Sequence, residues 1–177
     1  MQRIFYYEKL VKELKRKKMV YYSTKTYGHE RGLSCAFRQP RAFHSHCKFI
    51  HGYSLSFSFK FGCSELDDKN WVVDFGGLKD LKNWLEDNFD HTLAVDHNDP
   101  MKETLQELAR HELAVIRLFD GVGCEKFAEH AYNFASKMIT EKYGDRCWVE
   151  SVEVREHGAN SAIYDRGTGK TFVTETW

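Results

Sequence analysis

The sequence predicts an α+β domain in which helices cover one face of an antiparallel sheet. Two observations carry that prediction. From Tyr53 to Phe61, large apolar residues alternate with small or charged polar ones, the period-two signature of a strand with one buried face. Along the chain, the strand-like and helix-like stretches come in the order strand, strand, helix, helix, strand, strand, a segregation that belongs to this class.

Residues 1–20 place Ile4, Tyr7, Val11 and Leu14 at helical steps of three and four. The same stretch holds seven basic side chains against two acidic ones, a local +5 in a chain whose formal net charge is zero. Residues 1–30 therefore read as a basic, solvated helical extension, with a contact to RNA or DNA as the rival reading. Gly28 and Gly32 then lead into a strand, Leu33–Gln39. In the next strand, Tyr53, Leu55, Phe57, Phe59 and Phe61 point one way and Ser54, Ser56, Ser58 and Lys60 the other. His51 has the parity of Tyr53 and heads the large-residue row.

After an acidic turn, "WVVDF" (Trp71–Phe75) reads as a short strand leading to a helix striped by Leu78, Leu81, Leu85 and Phe89, with Asp74 as its N-cap. "FDHTLAVDHNDP" (Phe89–Pro100) reads as a charged loop, and Asp99–Pro100 as the start of a short helix carrying Leu105 and Leu108. A β-like run, Leu113–Phe119, follows. The second long helix spans Cys124–Lys142, with Phe127, Ala131, Phe134, Ala135 and Met138 inward and Gly144 closing it. "CWVESVEVREHG" and "SAIYDRG" then read as a β-hairpin turning at residues 158–160.

Composition narrows the class of function. With 42% hydrophobic and 15% aromatic residues and only two prolines, the chain is globular. Zero net charge gives it no general attraction for nucleic acid or a membrane surface. No apolar run approaches a membrane span or a signal peptide. Five cysteines, an odd number without close pairing, point to free thiols in a reducing cytoplasm.

Four places carry candidate chemistry. Cys47 lies among His44, His46 and His51, where a thiolate can act as base or nucleophile if positive charge or a metal stabilises it; the alternative is an inert loop thiol. Asp90–His91 can form an acid/base pair, the carboxylate holding the imidazole tautomer, although such dipeptides also arise by chance. Glu156 closes a mainly apolar row of Trp148, Val152 and Val154, and is either solvated or free to receive a ligand's N–H groups. Asp74 reads as the helix cap.

These phrases, in this order, resemble the 6-pyruvoyl-tetrahydropterin synthase and 6-carboxytetrahydropterin synthase family. "LSCAFR" (Leu33–Arg38) stands where that family has F-S-A-A-H-R, and "CKFIHGY" (Cys47–Tyr53) stands where it has C-x-x-x-H-G-H. "WVVDFGGLK", "FDHTL", "CEKFAEHAYNF" and "VREHGANSAIYDRG" are similar to its later signatures. Residues 1–30 and an insertion near 95–122 fall outside the resemblance, and the domain is taken as residues 31–177.

The resemblance implies the tunnelling fold: a four-stranded antiparallel sheet (ββααββ) with helices on one face, assembled as homo-oligomers (trimers or hexamers). It implies a pterin substrate, 7,8-dihydroneopterin triphosphate, bound between subunits. Carried over by position, Cys47 is the proton-abstracting thiolate, Asp90 and His91 the second acid/base pair, and Glu156 the anchor of the pterin ring. The short Cys47–His51 spacing looks like the 6-carboxytetrahydropterin branch, which feeds 7-deazaguanine (queuosine-type) synthesis. The family also holds zinc through three histidines. Here Phe37 and Tyr53 occupy two of those positions, and only His51 is retained. Three readings stay open: a zinc site rebuilt from His51 with His46, His44 or His29; a metal-free site that binds or transforms a pterin-like ligand; and a purely structural protein.

Overall fold

In the computed structural model, residues 20–167 are described; the helical stripe expected in residues 1–19 lies outside them. Strand β3 (His51–Cys63) runs through the middle of the sheet. Its alternation is realised as read: Leu55, Phe57, Phe59 and Phe61 are at most 1% exposed. Each such side chain contributes roughly 1.5–3 kcal/mol by leaving water. Ser58 and Lys60 stay half-exposed on the opposite face, while Ser56 is buried there.

Strands β1 (Tyr21–Tyr27) and β2 (Leu33–Phe37) lie end to end along one side of β3. Tyr27 faces Phe57 and Leu33 faces Leu55, so residues 28–32 are extruded opposite Ser56 alone. The extrusion is a 3-10 turn, His29–Arg31, pinned by Ser54 Oγ donating to the His29 carbonyl at 3.0 Å. The boundary expected at residue 30 therefore falls inside the sheet. Alternation across Tyr21–Tyr27, with Tyr27 reaching the core, recruits the stretch before it. On the other side of β3 lie β6 (Cys147–Arg155) and then β7 (Ser161–Asp165), both antiparallel.

This antiparallel part matches the expected arrangement, but the sheet has seven strands, not four. β4 (Thr92–Asp96) pairs parallel to β2, and β5 (Val115–Phe119) pairs parallel to β4. The stretch read as a charged loop thus contains a buried strand. Its charges flank Leu93, Ala94 and Val95, a continuous apolar run of the kind parallel strands use. Conversely, Trp71–Phe75 is not a strand: Asp74 accepts from the Gly76 N–H at 2.8 Å and turns the chain into a 3-10 helix, Phe75–Leu78. Asp74 is the cap expected of it.

Helix α1 (Lys79–Phe89) buries Leu81, Leu85 and Phe89. Helix α2 (Lys102–Arg110) comes from the insertion, and helix α3 (Cys124–Tyr143) buries Phe127, Ala128, Ala131, Ala135 and Ile139. Phe134 sits at the rim of this core, stacked on Trp84 at 4.7 Å, and Met138 is also half-buried. α1 and α3 cover one sheet face. α2 packs Leu105 against Leu93 and Val95, which point away from the core residue Ala94, so the insertion covers the other face beneath β4.

The insertion is tied to β2 by one ion pair. Arg38 Nε and Nη2 donate to the two Asp99 carboxylate oxygens at 2.7 and 2.8 Å, and Asp99 also accepts from the Met101 N–H at 2.8 Å. The Asp99 side chain is 2% exposed. Arg38 donating to it, against the opposing effect of burial, holds its carboxyl below the ordinary value. An Asp99→Asn variant is expected to lose about 3 kcal/mol at pH 7, because it leaves the guanidinium without its anion. A carboxyl with a depressed folded pKa stabilises fully above its unfolded value of about 3.9 and loses that contribution as pH falls through the folded value. Urea unfolding should therefore show the gap between wild type and variant constant from pH 7 to about 5 and narrowing below about 4.

Candidate functional site

The site forms at the His51 end of β3. Antiparallel register sets Phe37 directly opposite His51 and Cys35 opposite Tyr53, so all four side chains share one sheet face. Phe37, 1% exposed, packs edge-on against Phe127 of α3 at 5.2 Å. The rings of Phe37, His51 and Tyr53 form a closed triangle: centroids are 5.0 Å apart for Phe37–His51, 5.6 Å for His51–Tyr53 and 6.1 Å for Phe37–Tyr53. Gly52 permits the close approach of β2, since a Cβ there would sit 2.8 Å from the Cys35 carbonyl oxygen. His51 Nδ1 lies 2.8 Å from the Phe49 carbonyl oxygen, so Nδ1 carries the proton and Nε2 is left unprotonated in the neutral ring.

Glu156 follows the end of β6. Its N–H donates to the Asn160 carbonyl at 3.2 Å, closing the turn of residues 156–160. With Cys124, Glu125, Ala159, Asn160 and Ser161 it lines a polar recess of about 420 Å3. Two neighbours face its carboxylate. Burial pushes the Tyr53 phenol up, and the Glu156 charge within hydrogen-bonding reach raises it further. Burial also pushes the Cys124 thiol up to about 12, again helped by Glu156. Both neighbours are therefore neutral at pH 7. The His157 ring completes the rim, 6.2 Å from Tyr53.

Cys124 is a site residue that sequence reasoning missed. No local pattern marks it, because Glu156 comes from a distant hairpin. Gly123, just before it, has φ +105°, a conformation that strains any residue with a Cβ. The backbone at the start of α3 therefore favours glycine. Gln39 fills the space, donating from Nε2 to the Val122 carbonyl at 2.7 Å.

Cys47 sits in a 3-10 turn, His46–Lys48, at the mouth of the site. Its N–H donates to Ser45 Oγ at 3.1 Å, and its carbonyl accepts from the Gln39 N–H at 2.7 Å. It is near enough to Tyr53 to raise the phenol, and it is half-buried where the other four cysteines are buried. His44 and His46 are exposed, with the His46 ring beside Phe49 at 6.5 Å. His29 bonds through Nδ1 to the Ser54 carbonyl at 2.5 Å and accepts from Ser54 Oγ, which places it on the face opposite Tyr53. Among the described residues, no three His, Cys, Asp or Glu side chains stand so as to hold a metal ion. The three-histidine zinc of the resembled family does not fit the donor set here: a phenyl ring, one imidazole and a neutral phenol.

Asp90 and His91 do pair, with His91 Nδ1 2.6 Å from Asp90 Oδ1. The pair follows α1 at a tight corner where His91 has φ +53°, and its ring is 85% exposed. One chain does not bring it to Cys47. Ala36 lies level with Leu93, so Phe37 is level with Ala94, and His91 is three residues back along β4. That is roughly 10 Å at the rise of a strand, toward the opposite end of β2.

The comparisons with known proteins agree with this geometry. The profile of the family described as 6-pyruvoyl tetrahydropterin synthase matches residues 26–167. The chain is similar to 6-carboxy-5,6,7,8-tetrahydropterin synthases of Aquifex aeolicus (29% identity over 98 residues, 54% of this chain and 60% of that protein) and Bacillus subtilis (31% over 90 residues, 51% and 60%). A Rickettsia bellii protein of the same name is 36% identical over 66 residues, 37% of this chain and 46% of that one. The chain thus spans about half the length of the curated relatives it matches. In fold it resembles an uncharacterised protein from Wolinella succinogenes, with TM-score 0.69, 18% identity and coverage of 84% of this chain and 99% of that one. It also resembles 6-pyruvoyl tetrahydropterin synthase from Plasmodium vivax, with TM-score 0.60, 16% identity and coverage of 84% and 98%. With the profile covering residues 26–167 and the strand–helix order in register with its signatures, this chain belongs to the 6-pyruvoyl tetrahydropterin synthase family.

Proposed function

We propose that the chain is a cytoplasmic lyase of the 6-carboxytetrahydropterin synthase type, acting on 7,8-dihydroneopterin triphosphate and feeding 7-deazaguanine (queuosine-type) synthesis. The observation that carries this is the Glu156 carboxylate, which lines a polar recess together with Glu125, Asn160, Ser161 and Cys124, whose thiol burial holds neutral. An amino-pyrimidinone edge presents parallel N–H donors, and a carboxylate accepts two of them side by side. Cys47, the half-buried thiol of the 3-10 turn before His51, is the base that removes a proton from the substrate's side chain.

The second acid/base pair comes from a neighbouring copy of the chain. Asp90–His91 is preformed but faces outward at the far end of β2, so assembly as a homo-oligomer, a trimer or a hexamer, is what supplies it. His91 uses Nδ1–H to hold Asp90, leaving Nε2 to exchange protons with substrate. A second reading, a pterin-binding protein without turnover, draws support from the aromatic side chains at two of the three zinc positions.

Five results are expected. Incubation with dihydroneopterin triphosphate should release acetaldehyde; ligand-dependent stabilisation without acetaldehyde favours the binding reading, and neither result rejects both. Cys47→Ala should lower kcat about 10²–10⁴-fold, while Glu156→Gln should weaken pterin binding about 10–100-fold through the lost charge-assisted bonds. Subunits carrying Cys47→Ala, mixed with subunits carrying His91→Ala, should regain activity that neither has alone; no recovery rejects the shared site. Thiol chemistry gives the fifth: iodoacetamide should label Cys47 first in the folded chain, since the other four thiols are buried. Mass spectrometry of the labelled peptides reads this out.

A further inference from the structure

At the positions where the resembled family holds zinc, the register brings three side chains together, but those side chains have changed character. Phe37 and His51 face each other across β2 and β3, and Tyr53 follows His51 by two residues on the same face. Three histidines on these Cα positions would converge on one point. What converges instead are three rings at centroid separations of 5.0, 5.6 and 6.1 Å, the spacing of packed aromatic side chains. Phe37 is anchored in this role from behind by Phe127, so it cannot swing aside to admit another donor.

Replacement donors are also accounted for. His29 is engaged on the opposite face, and His44 and His46 are exposed at the 3-10 turn. Cys47, Cys124 and Glu156 lie around Tyr53 but form no three-donor cluster, nor does any other group of His, Cys, Asp or Glu among the described residues.

We infer that the metal position has become an aromatic wall of His51 and Tyr53 backed by the buried Phe37, and that the site takes its ligand without zinc, through ring contact with His51 and Tyr53 and through the Glu156 carboxylate. The inference rests on the pterin reading only for the identity of the ligand; the absence of a bound metal stands apart from it.

Zinc stoichiometry tests this directly. The full chain, purified, loaded with excess zinc and dialysed, should retain below about 0.1 zinc per chain, and its Tm should not respond to a chelator. About one tightly held zinc per chain overturns the inference whatever the activity. The Phe37→His/Tyr53→His double variant should gain about one zinc per chain and, with cobalt in its place, the visible bands of tetrahedral coordination. A folded double variant that gains none overturns the claim that the backbone still presents a metal position. Should that variant fail to fold, the wild-type stoichiometry decides.

Pterin affinity is read separately, with neopterin as the probe. It should be the same within about twofold with and without chelator, and a chelator-sensitive affinity overturns the inference. Tyr53→Ala should weaken neopterin binding about 2–10-fold through the lost ring contact, without changing zinc content. An unchanged affinity overturns the role given to the aromatic wall. Failure of neopterin to bind at all defeats the pterin reading and leaves the zinc count to stand or fall by itself.

Discussion

Everything in this chain hangs on the register of β3. Side chains alternate with a period of two, so a slip of one residue against β2 or β6 would send the row Leu55–Phe57–Phe59–Phe61 to the solvent and bring serines into the core. The aromatic row holds the register from the core side. At the site end, the close fit of Gly52 under the Cys35 carbonyl holds it from the backbone side. The same register fixes Phe37 opposite His51. Core packing and site geometry are therefore a single constraint, and the residues that determine the ligand environment cannot drift without disturbing the core.

The site gathers segments distant in sequence because several connections end at one corner of the sheet. Arg38 leaves β2 and divides its guanidinium between Asp99 in the insertion and the Lys48 carbonyl beside Cys47, the latter at 3.4 Å. Gln39, the next residue, binds both the Cys47 carbonyl and the Val122 carbonyl ahead of α3. Two consecutive polar residues, through the Arg38 guanidinium and through the Gln39 backbone N–H and side-chain amide, thus position the thiol turn, the insertion and the helix start that carries Cys124. A buried bidentate pair is a poor source of net stability, but it is well suited to fixing geometry.

Much of this was legible in the sequence, for identifiable reasons. The alternation in β3 and the stripes of α1 and α3 are strong periodic signals, and they survive because tertiary packing uses the faces they mark. Tyr53 and Phe37 stood out because neither side chain suits a zinc position. β1 was hidden by the five residues that part it from β2, which break the alternation. β4 was hidden because its apolar core is three residues long and carries acidic groups at both ends. Cys124 could not be read as a site residue, since its meaning depends on Glu156 arriving from a hairpin more than thirty residues later. The distance of Asp90–His91 from Cys47 is likewise a fact of strand direction, which no local pattern encodes.

The extrusion at residues 28–32 gives the first ladder a property that a continuous strand would lack. β1 and β2 are two short zippers on one side of β3, each with its own hydrogen bonds and separated by a turn fastened to Ser54. Opening from the Tyr21 end can run as far as Tyr27 and then meets a break that does not transmit it. The five pairs beside the site form a ladder of their own beyond that break, so loosening at the outer edge has no continuous run of hydrogen bonds along which to reach the aromatic wall.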